Sequence, residues 1–90
     1  MNVRDCFEKG LLKKDVPDRD KSTKSIDVSK HKLKLAKKIF SFGIIEETVT
    51  NCYASMFHAA RSLLFKDGIR EKNHFALFLY IKEHYTDQLE

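Results

Sequence analysis

Apolar residues recur every three or four positions along most of the chain, which is the spacing of one face of an α-helix. This pattern predicts four helices, over about residues 2–13, 20–42, 44–67 and 73–86. Runs that alternate apolar and polar positions with β-branched enrichment are missing, so no strand is predicted. We therefore expect one all-α domain over residues 1–90: an antiparallel up-and-down bundle with a short first helix and three longer ones.

Proline, glycine and capping residues mark the predicted helix ends. Asp18, directly after Pro17, can cap the second helix. Gly43 and Gly68 can adopt the left-handed conformation that ends a helix, and Asn73 is a good N-cap for the fourth. The turn at Gly43 is short, so the second and third helices should form an antiparallel hairpin.

The third helix has the broadest apolar side. Nine residues share it: Ile45, Val49, Cys52, Tyr53, Met56, Phe57, Ala60, Leu63 and Leu64. Its far side carries Asn51, Ser55, His58 and Ser62, and small polar residues at this spacing let another helix approach closely. Because ninety residues have too few partners for such faces, we expect a dimer or a complex with a second chain.

Composition is that of a small globular protein, with 42% hydrophobic and 33% charged residues. The first ten residues contain no apolar signal-peptide core, and no run is long enough to cross a bilayer, so we expect a soluble, cytoplasmic protein without a membrane partner. Cys6 and Cys52 are expected to be free, buried thiols in a reducing compartment. Neither lies at metal-ligand spacing, so we expect no metal and no cofactor.

Positive charge is concentrated in the first half of the chain. Residues 1–43 hold twelve Lys/Arg against six Asp/Glu, whereas residues 44–90 hold five against seven. The second predicted helix carries a lysine row, which is Lys30, Lys34, Lys37 and Lys38. Like charges at helical spacing repel each other and must face water or an anion. The row is therefore either a solvated face or a contact for a phosphate or an acidic protein.

His58 and Arg61 lie on neighbouring positions of the third helix. A histidine can act as general acid or base and an arginine can hold a phosphate, which makes them candidate catalytic residues. A lone histidine is also often a hydrogen-bonding surface residue. Lys72 and His74 carry the same two interpretations, ligand contact or helix capping and solvent contact.

The order of motifs resembles the HEPN domain family, in particular its small stand-alone bacterial and archaeal members. The resemblance lies in "LLKKDVPD", the lysine-rich helix with Ala36, and "CYASMFHAARSLLFKDGIREKNHFALFLYIKEHY". It implies a bundle of four or five antiparallel helices, often a symmetric dimer, frequently paired as a toxin or antitoxin with a minimal nucleotidyltransferase. It also implies that some members are metal-independent ribonucleases using an Arg and a His about four to six residues apart.

The chain departs from the family pattern at two places. The Arg70 to His74 pair falls in the predicted loop before the fourth helix, whereas the family's pair lies nearer the last helix. Family members also continue well beyond a position like Glu90, so the chain looks short at its C-terminus.

Three functions follow as hypotheses. The first is a dimeric interaction module that engages a nucleotidyltransferase or a nucleotide. Its candidate contacts are Lys30, Lys34, Lys37, Lys38, Asn51, Arg61, Lys72 and His74. The second is a ribonuclease toxin with a composite site across a dimer, built from His58 or His74 with Arg61 or Arg70. The third is a helical scaffold without a ligand.

Overall fold

The computed structural model describes residues 1–89, and the side chains of residues 1–85. The described residues form α1 (Val3–Glu8), β1 (Leu12–Lys14), α2 (Arg19–Ser41), α3 (Ile45–Asp67), β2 (Ile69–Glu71) and α4 (His74–Leu89). The four-helix, all-α prediction is confirmed. Along these residues, no helix combines the length and the apolar character that crossing a membrane requires.

The two short strands were not predicted. The sequence pattern placed a helix as far as residue 13, but α1 ends at Glu8 because Gly10 adopts a left-handed φ of 73°. The chain then turns, and β1 pairs antiparallel with β2 to form a two-stranded ribbon in which Lys13 opposes Arg70. Three residues are too few for a strand pattern to be visible in the sequence.

Helices α2 and α3 form the expected hairpin, and serines hold them together. Ser29 Oγ donates a hydrogen bond of 2.8 Å to the Ser55 carbonyl, and Ser55 Oγ donates one of 2.9 Å to the Ser29 carbonyl. Closer to the start of α2, Ser22 Oγ donates to the Ser62 carbonyl at 2.8 Å. The prediction that small polar residues on α3 allow close approach of another helix is confirmed for Ser55 and Ser62.

The apolar core lies at one end of the molecule, which we call the closed end: α1, the ribbon, α4 and residues 57–67 of α3. Its buried members are Val3, Cys6, Leu12, Ala60, Leu64, Ile69, Ala76, Leu77 and Tyr80. The hydroxyls of Tyr80 and Tyr85 both donate to Asp67 Oδ2, at 2.9 and 2.6 Å, and so fasten α4 to the end of α3.

The other end of the hairpin is open. We call residues 33–56 the hairpin tip: the second half of α2, the connecting loop and the first half of α3. Its exposed apolar side chains are Leu33, Phe40, Phe42, Ile44, Ile45, Val49, Tyr53 and Met56. The broad apolar side predicted for α3 is therefore covered only in its second half. Cys52 is exposed here too, and only Cys6 is buried as expected, because α4 contacts the tip at Tyr53 and does not cover Cys52.

Candidate functional site

The ring of Phe57 on α3 is the centre of a polar and aromatic cluster. Its centroid lies 5.3 Å from the His58 ring, 4.3 Å from the His74 ring and 5.5 Å from the Arg61 guanidinium carbon. We call these four residues the Phe57 cluster. The fold thus brings together three residues that the sequence singled out separately, one of them from a different helix.

His74 reaches this cluster because it is the first residue of α4. Asn73 caps that helix by accepting a hydrogen bond of 2.8 Å from the Ala76 amide, as predicted. The His74 Nδ1 lies 2.8 Å from the Tyr53 hydroxyl, and which of the two donates depends on the histidine tautomer. His74 is therefore held on two sides, by the tilted ring of Phe57 and by the Tyr53 hydroxyl.

Arg61 is positioned by two rings and one carboxylate. Its guanidinium carbon lies 5.5 Å from the Phe57 centroid and 5.6 Å from that of Phe65, which is within cation–π range. Its Nε lies 2.7 Å from Glu71 Oε1, although the N–H is not aligned with an acceptor, so the contact is an ion pair rather than a hydrogen bond. The Arg61 side chain keeps 41% of its surface exposed, so the oriented charge is accessible.

His58 is half-buried and electrostatically biased towards its neutral form. Burial lowers the pKa of the imidazole below its usual value, and the nearby charges of Arg61 and Lys32 lower it further. A neutral imidazole next to an accessible guanidinium has the composition needed for general-base chemistry at a phosphate ester.

The other predicted contacts lie apart from this cluster. The lysine row is exposed along α2, and Lys34 and Lys38 flank a shallow groove beside His31 and Leu35. The Asn51 amide donates 2.8 Å to the Glu47 carbonyl within α3 itself, so it is occupied by its own helix. Lys72 lies on the ribbon, where its amide donates 2.8 Å to the Leu11 carbonyl.

Sequence reasoning missed Phe57 and Glu71 as site residues. The position of Phe57, next to His58 and four residues before Arg61, is a signal of helical aromatic–cation contact that was available in the sequence. No comparable signal existed for Glu71, which reaches Arg61 only because β2 runs back along α3. Within the part of the chain that the structure describes, no group of three or more His, Cys, Asp or Glu side chains is placed to hold a metal ion.

Comparison with known proteins finds the HEPN domain over residues 23–89, which includes the whole Phe57 cluster. The chain belongs to the HEPN domain family. The HEPN match begins inside α2 and continues through α3, β2 and α4, so it leaves out α1 and β1. The family resemblance predicted from the motifs is confirmed.

One curated relative of this HEPN protein comes from Methanocaldococcus jannaschii and is named "Putative toxin MJ0605". It is 28% identical over 87 residues, which cover 90% of this chain and 63% of the relative. The chain thus spans less than two thirds of the relative's length. No solved structure matches the chain.

Proposed function

We propose that this HEPN protein is a helical interaction module of a toxin–antitoxin-type pair, and that it works as a dimer through its hairpin tip. Family membership and the name of the archaeal relative support the toxin–antitoxin part. The observation that carries the interaction part is the exposed apolar surface of the tip, where Phe40, Val49 and Met56 are 61%, 62% and 61% exposed.

Such a surface is costly to leave in water. Each Å² of apolar surface removed from water contributes about 25 cal/mol, and monomeric proteins rarely expose large contiguous apolar patches. Eight apolar side chains share the tip, six on α2 and α3 and two in the loop between them. The two helices are already fixed relative to each other by the hydrogen bonds of Ser29 and Ser55. A rigid apolar face of this kind is suited to packing against a second pair of helices.

The tip also offers a basic rim for a second partner. Lys37 and Lys38 extend from the same half of α2 as Leu33 and Phe40. We propose that the partner is a nucleotidyltransferase with an acidic contact surface, and that a nucleotide is bound in the assembled pair. A nucleotidyltransferase gene directly beside the gene for this protein is the expected genomic arrangement.

Light scattering tests the dimer. Wild-type protein at micromolar concentration is expected to have twice the monomer mass, and Phe40→Asp with Val49→Asp is expected to yield monomers with unchanged helix content. Val16→Asp is the matched control, because Val16 is 77% exposed but lies in the linker before α2, outside the tip. A compact wild-type monomer would reject the dimer.

The Phe57 cluster supports a second candidate function, a metal-independent ribonuclease. His58 supplies a neutral imidazole and Arg61 an accessible cation within one helical turn, and His74 lies against the same ring. RNA cleavage in the presence of EDTA is expected to disappear in His58→Gln and in Arg61→Ala. It should persist in His31→Gln, since His31 lies exposed on α2. Cleavage that survives both cluster variants would rule out the Phe57 cluster as a ribonuclease site, and wild-type protein without cleavage would rule out the function.

A further inference from the structure

The outer face of the ribbon collects positive charge from two segments that are distant in sequence. Lys13 on β1 and Arg70 on β2 are direct partners across the ribbon, and both are exposed. Lys72 follows two residues after Arg70 and therefore shares its face. The Lys72 amide continues the ladder by donating to the Leu11 carbonyl at 2.8 Å. Three cations thus surround one patch of ribbon surface.

This arrangement is unfavourable for the protein by itself. Like charges directly opposite each other on one face of an antiparallel pair are destabilising. The two carboxylates nearby only partly offset them: Asp15 Oδ2 accepts from Arg70 Nε at 2.6 Å, and Glu71 turns to the other face, where it pairs with Arg61. Among the residues described, Lys13 and Lys72 have no acidic partner.

The patch is concave, and Gly10 is part of its lining. Lys13, Arg70 and Lys72 line a shallow cavity together with Glu71 and Gly10. Nothing lies within 4 Å of the position that a Cβ on Gly10 would take, so the backbone there is open to a ligand. The contact with Asp15 engages Nε of Arg70, which leaves the terminal nitrogens of the guanidinium for an anion.

We propose that Lys13, Arg70 and Lys72 form a binding site for a phosphate ester, separate from both the hairpin tip and the Phe57 cluster. Three cations around one cavity match a group with several anionic oxygens, and an arginine held by a carboxylate presents its remaining donors in a fixed plane. Aromatic side chains do not line this cavity, so we expect the three cations to contact the phosphate and not a base.

The site does not depend on dimerisation. The ribbon follows the C-terminal end of α3, whereas the tip contains its N-terminal half. A monomeric protein with an intact ribbon would therefore still bind phosphate, and a dimer with an altered ribbon would not.

Binding of two probes tests the proposal: sodium tripolyphosphate, followed by calorimetry, and a fluorescein-labelled oligouridylate, followed by anisotropy. Lys13→Ala with Lys72→Ala removes two cations and keeps the contact between Arg70 and Asp15. Lys24→Ala with Lys66→Ala is the matched control, because it removes the same charge from exposed positions on α2 and α3 that belong to none of the proposed sites. A circular dichroism melt of each variant verifies folding.

The ribbon double variant is expected to bind the oligouridylate about tenfold more weakly than wild type. The slope of log K against log salt concentration should become shallower by about 1.4, since each lost phosphate contact removes about 0.7. The control should stay near wild type. Binding of both probes indicates a terminal or condensed phosphate, and binding of the RNA alone indicates a phosphodiester backbone. Equal losses in the two variants, competition by polyglutamate at equal charge, or no binding of either probe would overturn the site.

Discussion

The closed end and the hairpin tip are built from the same kind of amphipathic helix, yet only one of them buries its apolar face. At the closed end Leu64 and Leu77 are both 0% exposed, because α1, α4 and the ribbon cover them. At the tip Leu33 and Ile45 are 44% and 58% exposed. Here α2 and α3 contact each other through small residues, and their large apolar side chains remain exposed to solvent.

The difference shows that the two ends are stabilised by different interactions. Burial of large apolar side chains holds the closed end, as in any small core. Close contact and reciprocal serine hydrogen bonds hold the tip, and these leave its apolar surface available for another chain. The following predictions test this division, starting from the largest expected effect.

Truncating a leucine should destabilise the closed end much more than the tip. Leu77→Ala opens a cavity in the closed end and is expected to lower the free energy of unfolding by about 2–5 kcal/mol. Leu33→Ala at the tip is expected to cost about 1 kcal/mol or less under monomeric conditions. Urea denaturation of both variants measures the contrast, and equal losses would mean that the tip is part of the monomer's core.

Gly68 ends α3 where the closed end is most crowded. Its φ is 72°, and a Cβ there would lie 2.6 Å from the Asp15 carbonyl oxygen. Gly68→Ala is therefore expected to cost about 2 kcal/mol or more, since backbone strain adds to the clash. Gly43→Ala is the matched variant, because Gly43 has a φ of 75° with no atom within 4 Å.

Strain alone acts at Gly43, so that variant should lose about 1–2 kcal/mol. Thermal melts of the Gly43 and Gly68 variants separate the cost of backbone strain from the cost of the steric clash. A Gly43 variant as unstable as the Gly68 variant would show that the contact with Asp15 adds nothing.

The serine pair links the two halves of the hairpin. Ser29→Ala is expected to cost about 1 kcal/mol, the typical net contribution of one hydrogen bond. Ser41→Ala should change stability by about 0.5 kcal/mol at most, because the Ser41 hydroxyl donates only to the Lys38 carbonyl of its own helix. Chemical denaturation measures the free energy of unfolding of both variants. An equal loss in the two would contradict the role of Ser29.

The smallest predicted effect is the acid sensitivity contributed by His58. Its pKa is lowered in the folded protein, chiefly by burial. The folded state therefore favours the neutral form, and the stability gained above the unfolded pKa of about 6.5 is lost as pH falls through the folded value. Urea midpoints at pH 7.5 and pH 5 should differ less in His58→Gln than in wild type.

Replacing the exposed His31 by Gln controls for the general loss of a histidine. If the wild-type and His58→Gln midpoints shift in parallel between the two pH values, His58 titrates alike in the folded and unfolded chain.

Local signals in the sequence predicted much of the fold. The bounds of α2 and α3 agree with the periodicity to within one residue, since Asp18, Gly43 and Gly68 end or begin helices by local backbone chemistry. The motif around His58 and Arg61 also predicted the HEPN family. These features depend on residues a few positions apart, which a sequence displays directly.

The ribbon and the environment of the site were not predictable in this way. Lys13 opposes Arg70 only because two three-residue strands meet across more than fifty positions of chain, and Glu71 reaches Arg61 only because β2 runs back along α3. The division of the apolar side of α3 into a covered and an open half has the same origin. Helix periodicity shows which residues share a face, but not which other element covers it.

By itself, the sequence determined the four helices, the ends of α2 and α3, the hairpin and the family, because each follows from contacts within a turn or two of chain. The tertiary structure decided that His58, Arg61 and His74 gather around Phe57, that three cations share the ribbon, and that the tip stays open. Those outcomes depend on which elements pack against each other and on how far each one extends. Long-range contacts set both, and the local sequence of a segment does not show which other segment it contacts.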